Sequence, residues 1–208
     1  MILRPRGFRG AAFTLAGAGD QRGNPAKRSS VAAELGIEPD WATLHQVHGR
    51  TVIEATHPGE IGEGDALFTR MAGLPVAVFT ADCLAVVLEG DGIVGIAHAG
   101  WRGLAKGVIA ALRTAMDDAG SPARAAAIGP AIGSCCFEVG EDVADRFPDE
   151  AATTTWGSPS VDLPASARAD LGGLEVWDAG RCTGHDPGLF SHRRQRTSRR
   201  MAAIGWLP

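Results

Sequence analysis

Two apolar runs dominate the hydropathy pattern of the chain, Leu84–Leu88 (LAVVL) and Ile93–Ala97 (IVGIA), joined by Glu89-Gly90-Asp91-Gly92. Short β-rich runs on either side of an Asp-Gly signal predict an antiparallel hairpin. A two-residue turn at Gly90-Asp91 sets Cys83 opposite His98. A turn at Asp91-Gly92 instead pairs Ala85 with His98 and leaves Cys83 one diagonal away. Both registers put Cys83 and His98 on one face, because side chains alternate with period two along a strand. Directly opposite residues have β-carbons about 4.5–5.5 Å apart.

Around this hairpin the pattern alternates between strands and helices. Asn24-Pro25 opens a helical pattern that ends at Gly36, with a cap, a first-turn proline and a terminal glycine in their usual places. Trp41–Val47 and Thr51–Ala55 read as strands around His48-Gly49, and the polar, glycine-rich Pro58–Gly64 reads as a loop. Strands follow at Asp65–Thr69 and Pro75–Phe79. After Gly103 the period changes to 3.6, with Leu104, Val108, Ala111, Leu112 and Ala115 on one face, which predicts a helix of about 15 residues ended by Gly120. Ala125–Ile128 reads as a strand, Glu141–Phe147 as a helix, and Asp162–Leu171 as a short helix interrupted by Pro164. Leu174–Trp177 and Met201–Trp206 read as strands flanking an arginine-rich loop. Strands dominate while helices recur, so the fold class is α/β (α+β) with a mixed sheet in a single domain, residues 1–208.

Composition narrows the function classes. Hydrophobic residues make up 45% and charged residues 21% of the 208, as in an ordinary soluble globular protein. The net charge of −4 gives no electrostatic case for nucleic acid as a partner. No apolar run approaches the ~20 residues needed to span a bilayer, and the N-terminal MILRPRGFRG lacks the apolar core of a signal peptide. Four cysteines are too few for a disulfide scaffold. The expected setting is the cytoplasm, with reduced thiols and no membrane partner.

A thiol and an imidazole at the mouth of one hairpin can share a metal or act as nucleophile and base. The plainer reading is a buried free cysteine near a hydrogen-bonded histidine. Ala99-Gly100-Trp101-Arg102-Gly103 lies where a strand gives way to a helix. The free N–H groups of such a helix start form an anion site, and Arg102 adds a bidentate donor. The alternative there is a tight turn with Arg102 paired to a surface carboxylate. His45 and His48 point apart on a strand or turn, so at most one of them faces a common site. Cys135 and Cys136 could ligate a metal, but neighbouring side chains diverge on a strand, which favours small buried hydrophobes. Cys182 has no nearby partner and takes no role. The run Arg193–Arg200 holds five arginines in eight residues. It reads as a solvated loop or as a wall around an anionic substrate.

Four spaced motifs now resemble one family: His45-Gln-Val-His48-Gly49, Ala81-Asp82-Cys83, Ala97-His98-Ala-Gly-Trp-Arg-Gly103 and Gly129-Pro-Ala-Ile-Gly-Ser-Cys-Cys136-Phe-Glu-Val-Gly140. Phe190-Ser191-His192-Arg193-Arg194 is similar to that family's closing motif. The family is that of purine nucleoside phosphorylases long labelled multicopper polyphenol oxidase or laccase-domain proteins, and the likeness runs from about Gly17 to the C-terminus. It implies a compact fold with central mixed β-sheets flanked by helices, and a Zn2+ ion on His48, Cys83 and His98, with copper as the second candidate. It also implies purine nucleosides and phosphate as partners; separately, the chain is expected to be a monomer. The implied reaction converts adenosine, inosine, guanosine or 5′-methylthioadenosine to free base and ribose 1-phosphate, with adenosine deamination as a further activity. The chain departs from the pattern at Trp156–Leu171, which is short, and at Gln195–Arg199, where a glycine usually precedes the arginine.

For phosphorolysis the expected roles are metal ligation and catalysis at Cys83 and His98, with His48 as the third ligand. Phosphate falls to Arg102 and the backbone of Gly100 and Gly103, with Arg193 and Arg194 as further anion contacts. Asp65, Asp82 or Glu138 would position purine or ribose hydroxyls. Two histidines and a cysteine leave the fourth position of a tetrahedral zinc open, the pattern of catalytic sites. A multicopper oxidase draws on many histidines in His-x-His pairs, whereas this chain has six histidines and no such pair. Two other classes compete: a cysteine hydrolase or amidase with Cys83 as nucleophile and His98 as base, and a non-enzymatic binding module built on the Arg193–Arg200 patch.

Overall fold

The structure is a computed structural model that describes residues 1–208. Two six-stranded mixed sheets stack face to face. The first runs, in spatial order, Ile2–Leu3, Ala11–Thr14, Met201–Gly205, Val76–Thr80, Ala42–His45 and Gly59–Glu63. The second runs Glu175–Asp178, Ala125–Ile128, Leu84–Gly90, Ile93–Ala99, Ala66–Thr69 and Val52–Glu54. Helix Pro25–Leu35 covers the outer face of the first sheet, and helices Trp101–Ala105, Val108–Asp118 and Leu163–Leu171 cover the second. The result is an α/β class with four layers. This explains the unbroken apolar runs, because the central strands are buried on both faces. Val76 and Val78 point between the sheets while Ala77 and Phe79 point to the outer helix; Ala85 and Val87 point inward while Leu84, Val86 and Leu88 meet the helices. Gly205 permits the closest approach of the layers, since a Cβ there would lie 2.8 Å from Val94.

Of the two registers open for the hairpin, the second is found. Ala85 pairs with His98 and Gly90 with Ile93, around a turn at Asp91-Gly92. The helix at Pro25–Leu35 has its expected ends: the Asn24 side chain accepts from the Lys27 N–H, and Gly36 closes it at φ 73°.

Four segments differ from expectation. Pro58–Gly64 is not a loop, because Gly59–Glu63 forms the exposed edge of the first sheet, where two wet faces leave no alternation to read. The helix expected after Gly103 is two helices, because Gly107 at φ 76° breaks the run. Pro164 does not interrupt its helix; it sits in the first turn behind the Asp162 cap, where its missing N–H costs nothing. The arginine-rich loop contains a one-turn helix, His192–Gln195, capped by Ser191 and closed by Arg196 at φ 52°.

Left-handed backbone costs a residue with a side chain about 1 kcal/mol, part of which glycine loses again through its freer unfolded chain. Arg196→Gly is therefore expected to raise the melting temperature slightly. A lower melting temperature would mean that the Arg196 side chain makes an offsetting contribution.

Candidate metal centre

Three separated segments converge at one end of the stacked sheets. The strand Val76–Thr80 leaves the first sheet, and the chain bends through Ala81-Asp82-Cys83 to enter the second, with Asp82 at φ 91°. His48, at φ 59°, follows the strand Ala42–His45 of the first sheet. His98 is the penultimate residue of the strand Ile93–Ala99. Cys83 Sγ lies 3.9 Å from His48 Nε2, and the His48 and His98 rings meet edge to face with centroids 4.8 Å apart. One donor atom from each of the three falls within 4.8 Å of the others. Continuing the ladder one step past Leu84–Ala99 brings Gly100 opposite Cys83. A Cβ on Gly100 would lie 3.0 Å from Cys83 Sγ and 3.1 Å from His48 Cδ2, so glycine makes the room the sulfur occupies.

Asp65 organises the cluster from behind. Fully buried, it accepts a hydrogen bond of 2.8 Å from His98 Nδ1. It also accepts from the backbone N–H groups of Val47 at 3.2 Å, His48 at 2.9 Å and Gly49 at 2.5 Å. One carboxylate thus fixes both the His98 ring and the loop that carries His48, and it directs the free His98 Nε2 toward the sulfur. Asp65 was expected to contact substrate; buried beneath His98, it is instead a positioning residue.

The charges follow from this arrangement. Burial alone would push the Cys83 thiol up, but hydrogen bonding to His48 and then His98 outweighs it and brings the pKa down to about 6. Burial would lower His98, yet its bonds to Asp65 and Cys83 raise it to about 9. For Asp65 burial also opposes ionisation, and the bonds from His98 and Gly49 hold its carboxyl below the usual range. At neutral pH the metal-free cluster is therefore a thiolate beside an imidazolium.

A cavity of about 310 Å³ opens onto the cluster, lined by His48, Cys83 and His98 together with Gln46, Phe79, Thr80, Ala81, Arg22, His192 and Arg200. Neither guanidinium of Arg22 and Arg200 forms an ion pair; the two backbone N–H groups donate to the Asp20 carboxylate, and the Arg200 guanidinium donates to the Thr197 and Arg199 carbonyls. Arg200 ends the arginine run that the sequence reads as a solvated loop or a wall around an anionic substrate, whereas Arg22 was not singled out.

The other expected site residues lie elsewhere. Arg102 is exposed and stacks over the ring of Trp101, 4.2 Å from its centroid. The helix it belongs to has only five residues. Gly103 serves packing, since a Cβ there would meet the Gly49 carbonyl at 3.2 Å. Arg193 donates through its backbone to Asp82 and through its guanidinium to the Glu138 carbonyl. Arg194 donates to the Leu189 carbonyl. None of these arginines lines the cavity. Asp82 accepts from Thr183 and Arg193, and Glu138 accepts from Trp156, so both carboxylates are engaged within the protein. His45 is exposed at the end of its strand.

A second group was not foreseen. Cys135, Cys136, Cys182 and His185 also bring their donor atoms within 4.8 Å of one another. Cys135 and Cys136 occupy a turn and not a strand, so their side chains converge, and Cys182 has partners after all. Burial, then the neighbouring sulfurs of Cys135 and Cys182, pushes the Cys136 thiol up to about 12. A Cys-x-x-His spacing at 182–185 was the signal available in the sequence.

Comparison with known proteins places this geometry. The chain is 40% identical over 198 residues to purine nucleoside phosphorylase ORF3 of Streptomyces griseus, covering 88% of this chain and 80% of that protein. It is 38% identical over 201 residues to a purine nucleoside phosphorylase of Deinococcus radiodurans, covering 89% and 78%. The crystal structure of the hypothetical protein YfiH of Bacillus licheniformis superposes with a TM-score of 0.84 at 28% identity, over 95% of this chain and 92% of that one. YlmD from Geobacillus stearothermophilus superposes at 0.82 and 28%, with the same coverage. Residues 14–208 match the family described as multi-copper polyphenol oxidoreductase laccase, and with the whole second sheet and the His48–Cys83–His98 cluster inside that span, the chain belongs to this family.

Proposed function

We propose that the protein is a zinc-dependent purine nucleoside phosphorylase that converts a purine nucleoside and phosphate to free base and ribose 1-phosphate. The observation that carries this reading is the single cavity shared by a His₂Cys donor set and the guanidinium groups of Arg22 and Arg200, neither of them in an ion pair. The donor set suits a borderline-soft divalent ion with one position left open. Bound there by His48, Cys83 and His98, zinc would supply Lewis-acid polarisation of the substrate and fix its orientation. Arg22 and Arg200, with His192 beside them, are the groups we assign to phosphate. This moves the anion contact away from Arg102, Arg193 and Arg194, none of which lines the cavity; Arg200 does line it, although its guanidinium also donates to the Thr197 and Arg199 carbonyls. Phe79 offers the purine an apolar wall. A phosphate oxygen forms its bond to the anomeric carbon as the bond from that carbon to the purine nitrogen breaks. The base leaves with the electron pair and takes up a proton.

The test is adenosine incubated with and without phosphate, with the products separated. Phosphate-dependent release of adenine and ribose 1-phosphate is expected. Inosine formed without phosphate would mean deamination instead, and turnover of neither kind would remove the phosphorylase reading. Arg22→Ala, which removes an exposed guanidinium with no side-chain partner, should raise KM for phosphate about tenfold with a smaller change in kcat. An unchanged KM returns the phosphate to Arg102.

A second reading rests on the low Cys83 pKa, since a thiolate beside a protonated histidine is also what a cysteine hydrolase needs. The two separate on alkylation: the phosphorylase reading expects zinc to protect Cys83 from iodoacetamide.

The shifted pKa values also set how the metal loads. Ligation requires the thiolate and a neutral His98 Nε2. Between pH 6 and 9 the metal-free cluster has already lost the Cys83 proton but still holds the one on His98. Zinc binding in this window should release about one proton, so affinity should rise about tenfold per pH unit, and more steeply below pH 6. Calorimetry in buffers of different ionisation enthalpy measures that proton directly.

A further inference from the structure

We propose that Cys135, Cys136, Cys182 and His185 form a second zinc site, closed by four protein ligands and structural in role. The site is built from two turns. In the first, the N–H groups of Cys136 and Phe137 both donate to the Gly133 carbonyl at 3.0 Å, and this curls the chain so that two adjacent thiols face the same way. In the second, the Asp186 N–H closes back on the Cys182 carbonyl at 3.1 Å, which brings Cys182 and His185 to one side.

Four of the six edges of the cluster have the lengths that zinc demands, and the other two lie within 4.8 Å. With Zn–S of about 2.3 Å and Zn–N of about 2.0–2.1 Å, a tetrahedron has S···S edges of about 3.75 Å and S···N edges of about 3.55 Å. Cys135 Sγ lies 3.6 Å from Cys136 Sγ and 3.6 Å from Cys182 Sγ. His185 Nδ1 lies 3.7 Å from Cys135 Sγ and 3.6 Å from Cys136 Sγ. A disulfide would need sulfurs about 2.05 Å apart. All four cysteines of the chain are free thiols.

Two further features belong to a ligand sphere. The N–H groups of Gly133 and Gly184 point at Cys182 Sγ, at 3.2 and 3.3 Å, as donors that stabilise a thiolate. Gly184 also lets the turns close on each other, since a Cβ there would lie 2.3 Å from Cys136 Cβ and 2.8 Å from its sulfur. Three thiolates and one imidazole fill a tetrahedral zinc and leave no position for substrate, which is the structural pattern. Such an ion would staple the 133–137 turn to the 182–185 turn. The second turn carries Thr183, whose hydroxyl donates to Asp82, the residue next to Cys83. The staple thus buttresses the bend that presents Cys83 without joining the first ligand set.

The test is metal analysis of the full-length protein after dialysis against a weak chelator, with melting temperatures on the same samples. Wild type should hold about two zinc ions per chain, Cys182→Ser about one, Cys83→Ser about one, and the double variant none. His185→Ala changes an exposed side chain and should fold; it should surrender one zinc to a chromogenic chelator at least about tenfold faster than wild type. Cys182→Ser should also melt lower than wild type, and added zinc should not restore it. If Cys182→Ser does not fold, cobalt(II) added to metal-free His185→Ala should give weaker visible absorption from thiolate-rich tetrahedral cobalt than wild type. The proposal is overturned if wild type holds one zinc that Cys83→Ser removes completely. It is equally overturned if mass spectrometry of the unreduced, alkylated protein finds Cys182 joined to Cys135 or Cys136.

Discussion

Cys83→Ser is expected to cost the cavity its metal, with zinc affinity at the His48–Cys83–His98 cluster down by more than about a hundredfold and purine nucleoside turnover lost with it. Serine keeps the volume and the hydrogen-bonding capacity, so the fold should survive. What it lacks is a soft donor that ionises near neutral pH, and it is on the thiolate that the cluster's electrostatics are built. The Cys83 sulfur is held at about 6 by the two histidines, and in turn helps raise His98 to about 9. With serine at 83, His98 loses one of the two partners that keep it protonated. Circular dichroism like that of wild type, together with loss of the cluster's zinc, is the expected pair of results. Full zinc retention would show that Cys83 is not a ligand.

Asp65→Ala should be the most destabilising single change in the site, by about 3–5 kcal/mol. It leaves the N–H groups of Val47, His48 and Gly49 and the Nδ1 of His98 facing an empty, buried space. Asp65→Asn keeps the volume and one acceptor oxygen but turns an amide NH₂ toward donors. It should fold less stably than wild type and bind zinc about 10–100-fold more weakly, because the His98 ring loses its orienting carboxylate.

The pH dependence separates this role from simple packing. The Asp65 carboxyl titrates below its ordinary 3.8 in the folded protein, so its contribution is fully present above that value and drains away as pH falls further. Wild type should therefore lose stability steeply in acid, and Asp65→Asn less steeply. Equal slopes in urea titrations at pH 3 and pH 6 would show that Asp65 carries no such linkage.

Much of the scaffold is legible in the sequence because local chemistry decides it. Asp91-Gly92 defines the hairpin turn, two-sided burial writes itself as LAVVL and IVGIA, and Asn24, Pro25 and Gly36 bracket a helix. Cys83 and His98 come together by the same arithmetic, since the strand period leaves them one diagonal apart. Where local pattern is weak, reading fails. The edge strand Gly59–Glu63 has no buried face to alternate with, and Gly107 breaks a helix through a φ that hydropathy does not encode. The Asp65 carboxylate could not be assigned because its partners lie up to 33 residues away. Arg22 and Arg200 reach one cavity only because the strands Ala11–Thr14 and Met201–Gly205 pair, with the Gln21 N–H donating to the Arg200 carbonyl. For Cys135 and Cys136 the error was to assume a strand: on a turn, adjacent side chains converge.

The position of the first ligand set at the junction of the sheets dictates an order of assembly. His48 hangs from the first sheet, His98 sits in the second, and Cys83 lies in the bend that crosses between them. Neither sheet alone offers more than part of the coordination sphere, and the buried carboxylate behind it must already be in place. Metal capture is thus a late event, following docking of the layers instead of nucleating it as in a zinc finger. On the proposed zinc reading, protein that lacks the ion at His48, Cys83 and His98 alone keeps its fold but turns nothing over, and resupply switches it on without refolding.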